Sequence, residues 1–202
     1  MGAKLAFLSW WTPKFIISRE LDAISIVTNQ ALQETLRANV PDFQVAAVDD
    51  RQSFRNLYEK RAAMTRRHNV LVEALVAALG EDTAVKVGRE ALFKVGVELG
   101  TRNRNRLGVG DSEEDLVRAA QIMYHVLGID FDVEWIGPNQ AILTVKRCVL
   151  AENYSEVTCE VLSATDEGVV KGLNPNMSMK FEKRITSGCK VCVAKIHGRS
   201  QG

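Results

Sequence analysis

The chain reads as an α+β protein: a helical N-terminal half packed on a C-terminal ββαββ unit with a mostly antiparallel four-stranded sheet. Three observations lead there. Apolar residues recur at helical spacing through the first 127 residues. After Gly128 the period changes to two. The remaining segments then run strand, strand, helix, strand, strand, which is the order of an α+β unit and not of a parallel doubly wound sheet.

Leu21, Ile24, Thr28, Ala31, Leu32 and Leu36 predict a first helix over about 19–38. Val40-Pro41-Asp42 stops it, because a residue before proline avoids the helical region. Residues 41–52 are a loop or short strand. A second helix is expected over 53–79 on Leu57, Met64, Leu71, Leu75 and Leu79, with Gly80 as its stop. Asp82 can cap a third over 83–107. Within it Gly96 and Gly100 are poor helix formers, and mark either a close helix approach or the helix end. Ser112-Glu113-Glu114-Asp115 opens a fourth helix, its acids well placed against the dipole, and Gly128 closes it. His125 lies at the edge of its apolar stripe. His68, beside Arg66 and Arg67, is expected on a solvated face. The six Lys and Arg between Arg51 and Arg67 are likewise read as solvated surface.

Phe131–Ile136 alternates as a half-buried strand, Gly137-Pro138-Asn139 turns, and Ala141, Leu143 and Val145 carry a second strand to Cys148. Residues 156–172 are helical, ended by Gly172 and Pro175. Met177, Met179, Phe181 and Ile185 mark a third strand, Ser187-Gly188 a turn, and 190–196 a fourth strand.

With 26 Lys+Arg against 25 Asp+Glu, the net charge of +1 argues against a nucleic-acid binder. No apolar run reaches the length of a membrane span. No targeting signal is recognisable, so the expected location is the cytoplasm. The loop before residue 51 divides the chain into 1–50, a packing or dimerisation arm, and 51–202, a ligand-binding domain. Trp10 and Trp11 concentrate apolar surface in the arm, for the core, a second subunit or a membrane interface. A homo-oligomer, commonly a dimer, is expected.

All four cysteines, Cys148, Cys159, Cys189 and Cys192, lie in the last third. Cys189-x-x-Cys192 resembles half of a zinc knuckle, but Cys148 and Cys159 have no such spacing, so buried thiols and a metal site both stand. Arg102, Arg104 and Arg106 either complement a helix C-terminus or hold a carboxylated ligand. Asp166 and Glu167 are either solvated helix acids or a general acid/base pair. Nucleophile elbow, phosphate loop, dinucleotide fingerprint and HExxH motif are all missing from the sequence.

Residues 60–108 and 147–196 carry an Arg-rich helix with Ala-Leu-Gly-Glu at its end. They continue with Cys148-x-x-x-Glu152-x-Tyr154, Asp166, an Asn-Pro pair, and Thr186-x-Gly188-x-x-x-Cys192. In this the chain resembles the L-2-amino-thiazoline-4-carboxylic acid hydrolase family. The resemblance implies hydrolysis of a small cyclic C–N substrate, with Asp166 and Glu167 for acid/base work and Arg184 or Arg102 for the substrate carboxylate. Where that family often has Cys before the helical Asp, this chain has Ser163. The same stretch is similar to the vinyl-reductase-type small-molecule-binding domain. That likeness implies a zinc held by Cys159, Glu182 and Cys192, with Cys189 or Cys148 nearby, although Ile185 replaces one cysteine of the pattern. The alternative it implies is a non-catalytic binding or sensing module. Strand alternation puts Glu182 on the face opposite Met179 and Phe181, so a site including it needs that face covered.

Overall fold

The computed structural model describes residues 13–40, 54 and 56–198. Trp10 and Trp11 lie outside them, as do most of the loop between the first two helices and the 50/51 division. Among the described residues five α-helices and four strands follow in the order α1 (Lys14–Asn39), α2 (Leu57–Leu79), α3 (Glu81–Leu107), α4 (Glu113–Leu127), β1 (Ile129–Gly137), β2 (Gln140–Cys148), α5 (Glu156–Leu173), β3 (Met177–Lys183) and β4 (Cys192–Gly198). The expected α+β order is the observed one.

Boundaries moved at several elements. The first helix starts at Lys14, about five residues before the expected start, with Ile17 adding a turn to the buried stripe. The second starts at Leu57, because the Asn56 side chain accepts the Glu59 amide at 2.9 Å. Ser112 accepts the Asp115 amide at 3.1 Å, and Gly128 adopts φ 74° at the other end of α4, as the sequence implied. The third strand stops at Lys183. Ile185 starts a one-turn 3₁₀ segment, Ile185–Ser187, so the fourth strand begins at Cys192 and not at residue 190.

The sheet is antiparallel throughout, in the order β1-β2-β4-β3. A tight hairpin joins β1 to β2. Helix α5 then crosses to the far edge, and β4 returns between β2 and β3. Alternation sends Leu143, Val145, Ala194, Ile196, Met179 and Phe181 to one face, and the helices cover that face. Lys146, Lys195 and Glu182 point to the open side, with Lys146 paired to Asp132.

The tightest helix contact is α3 on α5. A Cβ on Gly96 would sit 2.1 Å from the Thr165 carbonyl oxygen, and one on Gly100 2.4 Å from that of Val169. Across the crossing, a Cβ on Gly168 would meet the Phe93 oxygen at 2.2 Å. Two glycine pairs spaced four apart therefore let backbones touch, and they fix how α5 is rotated. Gly96 and Gly100 are thus a close approach and not a helix end, because α3 continues to Leu107.

Two residues read as solvated are not. Arg61 caps α4, donating to the Val126 oxygen at 2.7 Å and to that of His125 at 3.1 Å. His68 is 1% exposed, in the core between α1 and α5. Its Arg neighbours suggested a polar face, but spacing from Met64 and Leu71 puts it on the buried stripe.

Candidate functional site

Helix α5 carries the chemistry. It begins where Ser155 accepts the Thr158 amide at 3.2 Å. Cys159, Ser163 and Asp166 stand at i, i+4 and i+7, on one helix face. That face borders a cavity of about 90 Å³, room for several waters or a small organic molecule. Its other walls come from α1 and α2 (Thr28, Met64, His68), from α4 (Tyr124, Leu127) and from the sheet (Val145, Phe181).

Asp166 and Glu167 are neighbours with opposite surroundings. Glu167 is buried at 7% exposure and fully engaged. One carboxylate oxygen takes Arg89 Nη2 at 2.7 Å, and the other accepts the Phe181 amide at 3.3 Å. Arg89 also donates to the Glu160 carbonyl at 2.7 Å and to Ser163 Oγ at 3.1 Å. This pair ties α3, α5 and β3 together. Asp166 faces the cavity instead, and no described residue hydrogen-bonds or pairs with its carboxyl. Burial pushes its proton affinity up from 3.8 to about 7, with a further contribution from the Glu167 charge.

Three thiols share this cavity: Cys148 at the end of β2, Cys159 on α5 and Cys192 at the start of β4. Burial pushes the Cys148 thiol up to about 12, and raises those of Cys159 and Cys192. Cys192 Sγ accepts the Ile185 amide at 3.3 Å. All four cysteines are free.

Arg184 supplies the cation. Its Nη2 donates to Ser163 Oγ at 3.1 Å, and its guanidinium lies 5.9 Å from the centre of the Phe181 ring. Ser163 Oγ in turn donates to the Glu160 carbonyl at 2.7 Å. The serine that replaces a family cysteine is therefore a hydroxyl hub between Arg89 and Arg184.

A closed relay forms another part of the wall. Thr28 Oγ1 donates to the Ile24 carbonyl at 2.8 Å, so it accepts from His68 Nε2 at 2.9 Å. His68 Nδ1 then carries a lone pair and accepts the Tyr154 hydroxyl at 2.7 Å. This makes His68 a neutral imidazole protonated at Nε2. Burial, aided by the Arg67 charge, lowers its affinity from 6.5 to about 3. From the sequence, His68 reads as a solvated residue and Thr28 as part of a helix stripe, and neither gains a place in the site. The signal for His68 was its place on the Met64–Leu71–Leu75 stripe.

Of the residues expected to hold zinc, Cys148, Cys159 and Cys192 share the cavity wall, but Glu182 and Cys189 do not join them. Glu182 lies on the open sheet face, 2.7 Å from Lys195, opposite the cavity-lining Phe181. Cys189 is not part of the cavity wall. Among the described residues no three His, Cys, Asp or Glu side chains gather as metal ligands. That donor set does not fit one ion. Arg102 is exposed near the end of α3, away from the cavity. Arg104 pairs with Asp111 at 2.6 Å and Arg106 with Glu20 at 2.6 Å, as cations at a helix C-terminus do.

Residues 55–196 match the family model of L-2-amino-thiazoline-4-carboxylic acid hydrolase. No curated protein is similar enough to match the chain. Among solved structures it is similar to the phenol-responsive sensory domain of the transcription activator PoxR with phenol. That match has a TM-score of 0.51 and 13% identity over 85% of this chain and 92% of the other. It is also similar to a trafficking protein particle complex subunit 3 from Naegleria fowleri covalently bound to palmitic acid. There the TM-score is 0.50, with 12% identity over 70% of this chain and 96% of the other. At these identities the likeness is one of fold. Among the described residues no helix is long and apolar enough to cross a membrane.

Proposed function

The chain belongs to the L-2-amino-thiazoline-4-carboxylic acid hydrolase family, and from that premise we propose that the α5 cavity binds and hydrolyses a small cyclic C–N substrate bearing a carboxylate. One observation carries this reading: the Asp166 carboxyl faces the cavity without a hydrogen-bond partner among the described residues, at an affinity near neutral pH. A partly buried acid without a partner is costly, and such groups concentrate where protons are moved.

In this reading Arg184 holds the substrate carboxylate, for which a planar guanidinium is suited. The ionised Asp166 takes a proton from water as the oxygen bonds to the C=N carbon, and returns it to the ring nitrogen, which receives the C=N electron pair. The new hydroxyl then gives its proton to Asp166 as the C=O forms and a ring C–S or C–N bond breaks, and Asp166 passes that proton to the departing sulfur or nitrogen. A group that gives and takes one proton works best when its affinity lies near the working pH. Glu167 is left out of this chemistry because Arg89 and the β3 amide occupy it.

The second reading is a binding or sensing module in the cytoplasm, supported by the mostly apolar wall and the protonated thiols around the cavity. The solved sensory domain with phenol supports it as a fold that accommodates small ligands.

The test is incubation with 2-amino-thiazoline-4-carboxylate, following ring opening by chromatography and thiol release. Hydrolysis that Asp166→Asn abolishes, with substrate binding retained, supports the enzyme. Saturable binding with no product would replace it with the sensor.

A further inference from the structure

Asp166 has neighbours of two kinds. Tyr124 from α4, Tyr154 before α5, His68 from α2 and the thiols of Cys148, Cys159 and Cys192 are neutral around pH 7, since burial opposes charge on each. The charged groups near it are Arg184, on the cavity wall, and Glu167, one residue on and clamped by Arg89.

We propose that Glu167, held by Arg89, is a positioning residue that sets the pH at which Asp166 gives up its proton. This deepens the acid/base reading and rests on it. The geometry is fixed from three sides. Arg89 Nη2 holds one Glu167 oxygen at 2.7 Å, the Phe181 amide holds the other at 3.3 Å, and the α3–α5 glycine contact prevents α5 from turning. A carboxylate anchored in that way keeps a negative charge beside Asp166 and favours its protonated form. Arg89 offsets part of that charge without touching Asp166. Moving the pair would move the acid.

The experiment follows the Asp166 carboxyl by carbon NMR across pH in the full chain. Glu167→Gln removes the like charge and leaves Arg89 uncompensated, and both changes favour the Asp166 anion. Its midpoint should fall by on the order of one pH unit. Arg89→Gln should move it as well, upward while Glu167 stays ionised and downward once the unpaired Glu167 takes up a proton. Arg89→Lys keeps the charge while losing the fork, so it should lower stability and leave the midpoint in place. A merely structural role for the pair would make all three variants less stable and shift none.

An unmoved midpoint in folded Glu167→Gln overturns the proposal. Should that variant unfold, Arg89→Gln carries the same test, and an unmoved midpoint there overturns the proposal. A midpoint that moves in a protein that never opens the thiazoline ring supports the tuning and removes the hydrolase reading, so the two failures are distinct.

Discussion

Replacing Asp166 by Asn should change the pH dependence of folding stability in a calculable way. The folded protein holds the Asp166 proton up to about pH 7, while the unfolded chain releases it near 3.8. Between those values the folded state binds more protons, so stability falls as pH rises and the loss is complete above about 7. A shift of roughly three units at about 1.4 kcal/mol each gives about 4 kcal/mol, a ceiling because cavity water would solvate the anion. Asn carries no proton and lacks this slope. His68 contributes the reverse: the unfolded chain takes its proton below 6.5 and the folded one only near 3, so acid destabilises. In the wild type the two slopes offset each other between about pH 4 and 6.5. The difference between the two proteins isolates Asp166. Urea unfolding followed by circular dichroism at pH 4, 5, 6, 7 and 8 should show Asn gaining on the wild type by up to about 1.4 kcal/mol per unit from pH 4 to 7, then no further. The variant alone should lose stability in acid. A difference that stays constant from pH 4 to 8 would refute the reasoning, because Asp166 would then titrate as an ordinary surface acid.

Tyr154→Phe deletes the donor to His68 Nδ1 and leaves that buried lone pair unpaired. The expected cost is about 1–3 kcal/mol in urea midpoints, with the nitrogen NMR shifts of His68 reporting the changed environment. Gly96→Ala drives a methyl into the Thr165 carbonyl and should cost about 3 kcal/mol or more in thermal unfolding. Gly137→Ala, whose Cβ would meet nothing closer than 4.0 Å, should be nearly silent. Arg184→Gln should raise KM for a carboxylated thiazoline by about ten-fold or more with a smaller effect on kcat, from the loss of a charge-assisted contact. An unchanged KM would place the carboxylate elsewhere.

The architecture was legible because most elements carry their own punctuation. Ser112 and Gly128 bracket α4, and the alternation from Phe131 to Val145 fixes both the strands and the face each residue takes. The same alternation already placed Glu182 on the face opposite Met179 and Phe181. Spacing put Asp166 on one face with Cys159 and Ser163, but it could not separate Asp166 from Glu167. That distinction depends on Arg89, 78 residues distant, and on a β3 amide. Long-range pairing leaves no periodic trace. His68 was misread for a different reason: adjacent charges describe the neighbouring faces of a helix, while i±3 and i±4 describe its own. Gly168 and Gly172 mirrored Gly96 and Gly100 in plain view, and only the matched pair shows that two helices meet.

Local rules are broken together around α5. Glycines sit inside two helices, a partly buried acid has no partner among the described residues, and three thiols crowd one cavity. The glycines and the unpaired acid each cost stability alone. The glycines have a structural return, because they bring α3 close enough for Arg89 to reach Glu167, Ser163 and the Glu160 carbonyl. That contact holds α5 with Glu167 turned to β3, and the helical spacing then leaves Asp166 facing the cavity. Asp166 itself has no such return. Filling its place with an apolar side chain would relieve the desolvation cost and disturb none of the contacts that hold α5. A fold built for stability alone has no use for that carboxyl, so its place is best explained by what enters the cavity.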